Sequence, residues 1–296
     1  MGNYTWNSWK KKRYLQEFLE RTGLSVEELC DLISTKEDTL HSCYAETIKF
    51  DKDAFVEIIL VDMAFIVELL LRYSFRELQT REDCIFGKPC LIQDIWNDMW
   101  LVENQIPFFI LEEIFNLQKV SATISAILKK PKPQFIKLTF KYFKSLEAVN
   151  GKLERFKDAT NGVEVKHFTD LLRICHLPSE EQTKEQEKKK KSNEESEKKK
   201  RKVVTAPSVI QLLNAGAELK LSESKDSFQI SFKKGTLEMP PLKLELETES
   251  LFRNLIAFEQ RHYSSNYIND YVFIIHHLAN TPKDIELLVE KQIIEN

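Results

Sequence analysis

Glycine is scarce in this chain, and what there is stands scattered. Seven glycines occur in 296 residues, at Gly2, Gly23, Gly87, Gly151, Gly162, Gly216 and Gly235. Phosphate cradles need closely spaced glycines so that backbone N–H groups can approach the ligand, so a P-loop and a dinucleotide fingerprint are both excluded. Cysteine offers no framework either: Cys30, Cys43, Cys84, Cys90 and Cys175 are odd in number and show no CxxC spacing. That pattern favours free thiols in a cytosolic setting over a disulfide scaffold or a zinc site. Charge of one sign is missing as well. With 43 Lys and Arg against 46 Asp and Glu the net charge is -3, so no global field recruits nucleic acid and no such partner is expected. No secretory signal opens the sequence, and Trp6 stands where a myristoylation signal requires Ser or Thr.

A long uncharged apolar run is absent too. The most hydrophobic stretch, Ala54 to Leu71, carries Glu57, Asp62 and Glu68. Three carboxylates in hydrocarbon would each cost several kcal/mol, so this is a core helix capped by Asp51 or Asp53, not a membrane span. Glu57 and Glu68 are eleven residues apart and share a face at about 100° per residue, with Asp62 elsewhere. Glu68 can pair with Arg72 at i,i+4. Asp62 reads as a structural acceptor, with a buried acid of shifted pKa as the alternative.

The chain is long enough to bury about three quarters of its unfolded surface, and 42% hydrophobic with 30% charged residues is an ordinary globular composition. Trp6 to Arg21 predicts an amphipathic helix ended by Gly23. Ser25 with Glu28 forms a capping-box pattern that starts a second helix toward Ile33, and a third runs through Leu40 to Ile48. Ile95, Met99, Val102 and Ile106 recur at three and four, predicting a helix from Asp94 that Pro107 interrupts before a new helix over Phe108 to Phe115. Glu103, Asn104 and Gln105 lie beside that proline among aliphatics. They are expected to satisfy stranded backbone groups, a ligand or catalytic site being the alternative. Helix continues through Ile114 to Leu128. Phe135 to Asn150, aromatic and basic by turns, reads as a helix with Phe135, Leu138, Tyr142, Leu146 and Val149 on the core face.

The segment Asp94 to Phe115, centred on ENQIPFF, resembles the signature of the plant family known as domain of unknown function 247. Further motifs match in order: WKKKRYLQEFLER from Trp9, CYAE from Cys43, VDMAFIVELLLR from Val61, HFTDLL from His167, PSVIQLLNAGAE from Pro207 and ESLFRNLIAFE from Glu249. Trp100 and Val102 stand where leucines are expected. The resemblance implies no assigned enzymatic activity and no cofactor or metal. It implies a protein partner of unknown identity, with self-association open, and recognition roles that include grass self-incompatibility. Many members end in one hydrophobic anchor that would give plasma-membrane association. This sequence reaches Asn296 without one, so it reads as a soluble, cytoplasmic piece, a truncated member or a member acting without the anchor.

Ser179 to Lys202 holds no aliphatic or aromatic residue. Six glutamates there stand four residues before a lysine or arginine, enough for a fluctuating solvated helix. Lys198, Lys199, Lys200, Arg201 and Lys202 could serve as a linker, contact anionic lipid or act as a nuclear-import run. Three regions follow: 1–178, helical with the signature; 179–203, a charged linker or insertion; and 204–296, packed with the first as one domain. In the last, Pro207 to Ala217 predicts helix ended by Gly216. Phe228 to Phe232, Thr236 to Met239 and Leu242 to Leu246 alternate as a small antiparallel meander, with Ala217 to Leu221 as a further strand and Pro240-Pro241 as the break. Helices follow over Leu251 to Tyr263 and Tyr267 to Leu278, and from a capped start at Thr281-Pro282. His276 and His277 diverge by about 100° on a helix and make a poor metal pair.

The expected fold is therefore mainly α with a small antiparallel β-meander on a helical bundle-like core. Two functions stand: a non-enzymatic recognition or scaffold protein, and an enzyme of unfamiliar type in which Asp62, Glu103 and a histidine such as His167 converge on a cleft.

Overall fold

The computed structural model of the chain describes residues 8–44, 49–80, 82–146, 149, 165–177, 206–222, 228–263 and 266–295. It is mainly helical with a small β part, as the sequence predicted. Two compact units compose it, residues 1–171 and 172–296.

In the first unit, α1 (Ser8–Thr22) ends at Gly23, whose φ of +66° is the left-handed cap conformation that glycine adopts without strain. The N-terminus of α2 (Val26–Thr35) is closed reciprocally: the Ser25 hydroxyl accepts from Glu28 N at 3.1 Å, and the Glu28 carboxylate accepts from Ser25 N at 2.8 Å. The third helix differs from expectation. It spans Glu37–Ser42, starting on acids that suit a helix N-terminus and ending before Cys43. Asp51, of the two candidates, caps α4 (Lys52–Ser74) by accepting from Ala54 N at 2.9 Å.

α4 is the axis of this unit. α1, α2, α6 (Phe108–Phe115) and α8 (Phe135–Tyr142) pack on it, and residues from Phe55 to Ser74 are buried with few exceptions. Among the described residues no helix is long and apolar enough to cross a membrane. α5 (Pro89–Asp98) stops eight residues short of the predicted Ile106. A 3-10 turn over Val102–Asn104 and an extended Gln105 intervene, so Pro107 precedes α6 instead of kinking a continuous helix. α7 is Gln118–Leu128. The predicted core face after it is buried at Phe135, Leu138, Tyr142, Leu146 and Val149, although the regular helix ends at Tyr142.

The division between units falls inside α9 (Phe168–His176). Beyond it come α10 (Val209–Asn214), β1 (Glu218–Leu221), β2 (Ser231–Lys233), β3 (Thr236–Met239), β4 (Leu242–Lys243), α11 (Thr248–His262), α12 (Tyr267–Leu278), α13 (Pro282–Glu290) and β5 (Ile294–Glu295). Lys234 and Gly235 both take positive φ, +49° and +79°, the twist of a two-residue hairpin turn.

The sheet is not the antiparallel meander expected. β2 and β3 pair antiparallel, but β1 takes the free edge of β3 in parallel, giving the order β1-β3-β2. Pro240-Pro241 end β3, since proline cannot extend the ladder, and β4 pairs in parallel with β5 as a second, two-stranded sheet. The alternating pattern identified these strands but carried no information about which edge each would find. Val209, Leu237, Met239, Leu278, Leu288, Ile293 and Ile294 bury one cluster between helices and strands.

Candidate functional site

The signature turn is organised by one side chain, Gln105. Its Nε2 donates to Met99 O at 2.9 Å and to Leu101 O at 2.8 Å, past the end of α5, the latter carbonyl also accepting from Asn104 N at 2.9 Å. Its Oε1 accepts from Thr169 N at 3.2 Å, and the Thr169 hydroxyl donates to Trp100 O at 2.9 Å. Asn104 adds one bond, Nδ2 to Asp98 O at 3.2 Å. Glu103 does not join them: it is exposed and makes no hydrogen bond or ion pair to a described residue. Its neighbour Asp98 is half-buried, and its carboxyl is pushed up by burial and by the like charges of Asp94 and Glu103, with Lys11 opposing.

In the same unit α4 carries an ion network around Arg72, which is fully buried. Its Nε and Nη2 donate to Glu68 Oε1 at 2.8 and 2.7 Å, its Nη1 to Asp83 Oδ2 at 2.7 Å, and its Nη2 also to Glu17. The guanidinium stacks 4.3 Å from the Tyr14 ring centroid. Asp83 Oδ1 accepts from Tyr14 Oη and from the backbone N–H groups of Ile85 and Phe86, each at 2.9 Å. Burial raises the Asp83 and Glu17 carboxyls, but these donors outweigh it and hold both below their ordinary values. Glu68 is pushed the other way. Burial drives its carboxyl up against the pull of Arg21 and Arg72, and its Oε2 has no hydrogen-bond partner.

Asp62 stands outside this network: it meets Lys11 at 2.6 Å in a pair about one-fifth exposed. Glu57 and Glu68 do not share an environment, since Glu57 is exposed beside Lys12. His167 Nδ1 accepts from Asp170 N at 3.3 Å, closing the start of its own helix. Asp62, Glu103 and His167 thus have no bond in common. No described group of three His, Cys, Asp or Glu side chains could hold a metal ion. The run Lys198 to Lys202 lies outside the described residues.

The second unit has its own buried pair. Glu259 Oε1 accepts from Arg173 Nε and Nη2 at 3.3 and 3.2 Å, while Oε2 accepts from Ile268 N and Asn269 N at 2.9 and 3.1 Å, capping α12. Nearby, Leu242, Leu244, Leu246, Phe252, Val272 and Ile275 line an open groove of about 360 Å³, with Glu245 and Glu249 also on its wall. Tyr271 reaches the same groove; its hydroxyl is buried without a partner and its pKa is raised, by burial first.

Sequence reasoning paired Glu68 with Arg72 through their i,i+4 spacing. It missed Asp83 and Glu17, which sit 11 and 55 residues from Arg72, and Thr169, 64 from Gln105. It also missed the groove, whose only signal was the nearly all-apolar run of α12.

A mainly helical protein with a small β part is the class these features define. The chain matches, over residues 8–296, the family described as "Plant protein of unknown function", DUF247, and belongs to it. It is 30% identical to the UPF0481 protein At3g47200 of Arabidopsis thaliana over 97% of this chain and 60% of the relative. It is 22% identical to the putative UPF0481 protein At3g02645 of the same plant over 90% and 63%. The chain thus spans somewhat under two thirds of the length of these curated relatives. No solved structure matches it.

Proposed function

We propose that the chain is a non-enzymatic recognition or interaction protein whose second unit engages a protein partner through the groove beside α12. The observation that supports this reading is α12 itself. Its central run Tyr271 to Ile275 is apolar, and Tyr271, Val272 and Ile275 line the groove, yet Phe273 and Ile274 beside them are 55% and 38% exposed, and Leu246 on the groove wall is 98% exposed. Aliphatic surface gathered around a concave site favours a partner's apolar side chain, while Glu245 and Glu249 on the wall already pair with Lys243 and Arg253 at 2.7 and 2.6 Å. The Glu17 and Asp83 carboxylates of the first unit, by contrast, are already engaged by arginine and, for Asp83, backbone donors.

Affinity capture from plant cytosol and membranes tests the reading, with wild type, Leu246→Asp and a variant lacking residues 179–202 as baits. Proteins held by wild type and lost by Leu246→Asp support it, and the deletion reports whether the charged run contributes. A chain that captures nothing, and is thermally stabilised by a small metabolite instead, overturns it.

A further inference from the structure

The first unit contains a charge segregation that the signature and the ion network leave unexplained. Residues 118–146 hold seven lysines and no aspartate or glutamate. In a chain of net -3 this segment is therefore +7, and the remainder -10. Among the described residues only Lys119 is neutralised, by Glu28 at 2.6 Å. Lys129, Lys130, Lys132, Lys137, Lys141 and Lys144 make no ion pair with a described carboxylate.

These six are not spread at random. Lys137, Lys141 and Lys144 recur at four and three on the exposed side of α8 and the turn after it, about 100° from buried Leu138 and Tyr142. Lys130 and Lys141 sit 5.0 and 5.5 Å from the Phe75 ring centroid, so their ammonium groups lie within about 10.5 Å of each other. Lys141 Nζ is fixed further by Ser74 O at 2.6 Å. Lys129, in the left-handed conformation at φ 51°, ends α7 and starts the exposed Lys-Pro loop.

We infer that this lysine face of α7 and α8 docks an acidic segment, rich in Asp and Glu, of a partner protein. Concentrating like charges without counter-ions is unfavourable until an anion arrives. Two features select the anion. The ammonium groups at Phe75 are held in place by cation–π and carbonyl contacts, which suits discrete carboxylates, whereas a fluid lipid surface needs only mobile charge. The segment has no arginine, the residue that reads phosphates and base edges bidentately, which disfavours nucleic acid. This gives the interaction reading a partner chemistry on a different unit from the groove.

The test is fluorescence anisotropy of a labelled oligoglutamate peptide at low salt, with single-stranded DNA and phosphatidylserine vesicles compared on the full chain. Wild type should bind the peptide with an affinity that falls as salt rises. Changing Lys129→Gln, Lys137→Gln and Lys144→Gln together should weaken it about tenfold. Lys119→Gln, whose lysine is already paired, and Leu246→Asp, in the groove, should leave it unchanged; the latter separates failure of this inference from failure of the groove reading. Peptide binding indifferent to the triple change, absence of peptide binding, or tighter binding to vesicles or DNA at equal charge would overturn the inference.

Discussion

Each unit buries an arginine against glutamate, and the two do it differently. Arg72 is surrounded by Glu17, Glu68 and Asp83, with Tyr14 stacked on it. Arg173 has Glu259 alone, with its guanidinium carbon 3.6 Å from the Tyr263 ring centroid. Around Arg173 the carboxylate uses one oxygen for the arginine and the other for the first-turn N–H groups of α12, so the acid spans an ion pair and a helix end. Around Arg72 three acids share one guanidinium, and Arg13 on Glu17, Arg21 on Glu68 and backbone donors on Asp83 supply the rest. One oxygen of Glu68 is left over. The lesson is that a buried charge is tolerated when its lone pairs find donors, and that around Arg72 the geometry leaves one Glu68 oxygen and the Arg21 Nη1 donor both unpaired.

The largest effect should come from removing the hub. Arg72→Leu leaves Glu68 and Asp83 buried without their counter-ion, and breaking a buried pair in this way costs about 3 to 5 kcal/mol. Urea denaturation followed by circular dichroism should show the first unit unfolding at markedly lower denaturant. A loss under about 1 kcal/mol would mean the acids simply protonate, and the comparison would collapse.

Glu259→Gln should cost somewhat less, on the order of 2 to 3 kcal/mol. The amide keeps one acceptor for Arg173 or for α12 but cannot serve both with charge. Amide exchange localises the damage: Ile268 and Asn269 should exchange faster, while the Arg72 region stays protected. Uniform loss of protection would show that the pair and the helix cap are not one device.

A neutral side chain does comparable work at the signature turn. Gln105→Ala removes two backbone acceptances and one acceptor for Thr169, so about 1 to 3 kcal/mol should be lost, whereas Glu103→Ala should leave the melting temperature at the wild-type value. The pair of variants also marks how far the sequence could be read. ENQ between aliphatics predicted amide side chains serving stranded carbonyls, and Gln105 does so. Glu103 was expected in the same network because the helical period was extended through Ile106; the helix ends at Asp98, and the 3-10 turn swings Glu103 outward. Local signals with a fixed spacing were legible, such as the Ser25 and Thr281 caps, the Gly23 stop and the Glu68–Arg72 pair. Partners set by tertiary packing were not. Asp83 lies in a loop that nothing local ties to α4, and β1 chose a parallel edge that alternation alone cannot specify.

The smallest effect is the most diagnostic of the surplus acid. Glu68 ionises above its ordinary value of 4.5 in the fold, so the folded state binds a proton that the unfolded chain has released. Its contribution to stability therefore declines as pH rises from about 4.5 toward its raised value. Glu17 and Asp83 have the opposite sign: their contribution is present above the ordinary carboxylate range and is lost only as pH falls through their lowered values. Above pH 4.5, then, Glu68 supplies a downward slope that neither partner cancels. Glu68→Gln keeps the side-chain shape and removes that titration. Melting temperatures of both proteins between about pH 4.5 and 7 should show the wild-type advantage narrowing with rising pH. An advantage that widens instead would mean Glu68 is held as an anion by Arg21 and Arg72 together, and that the first unit balances its charge as fully as the second.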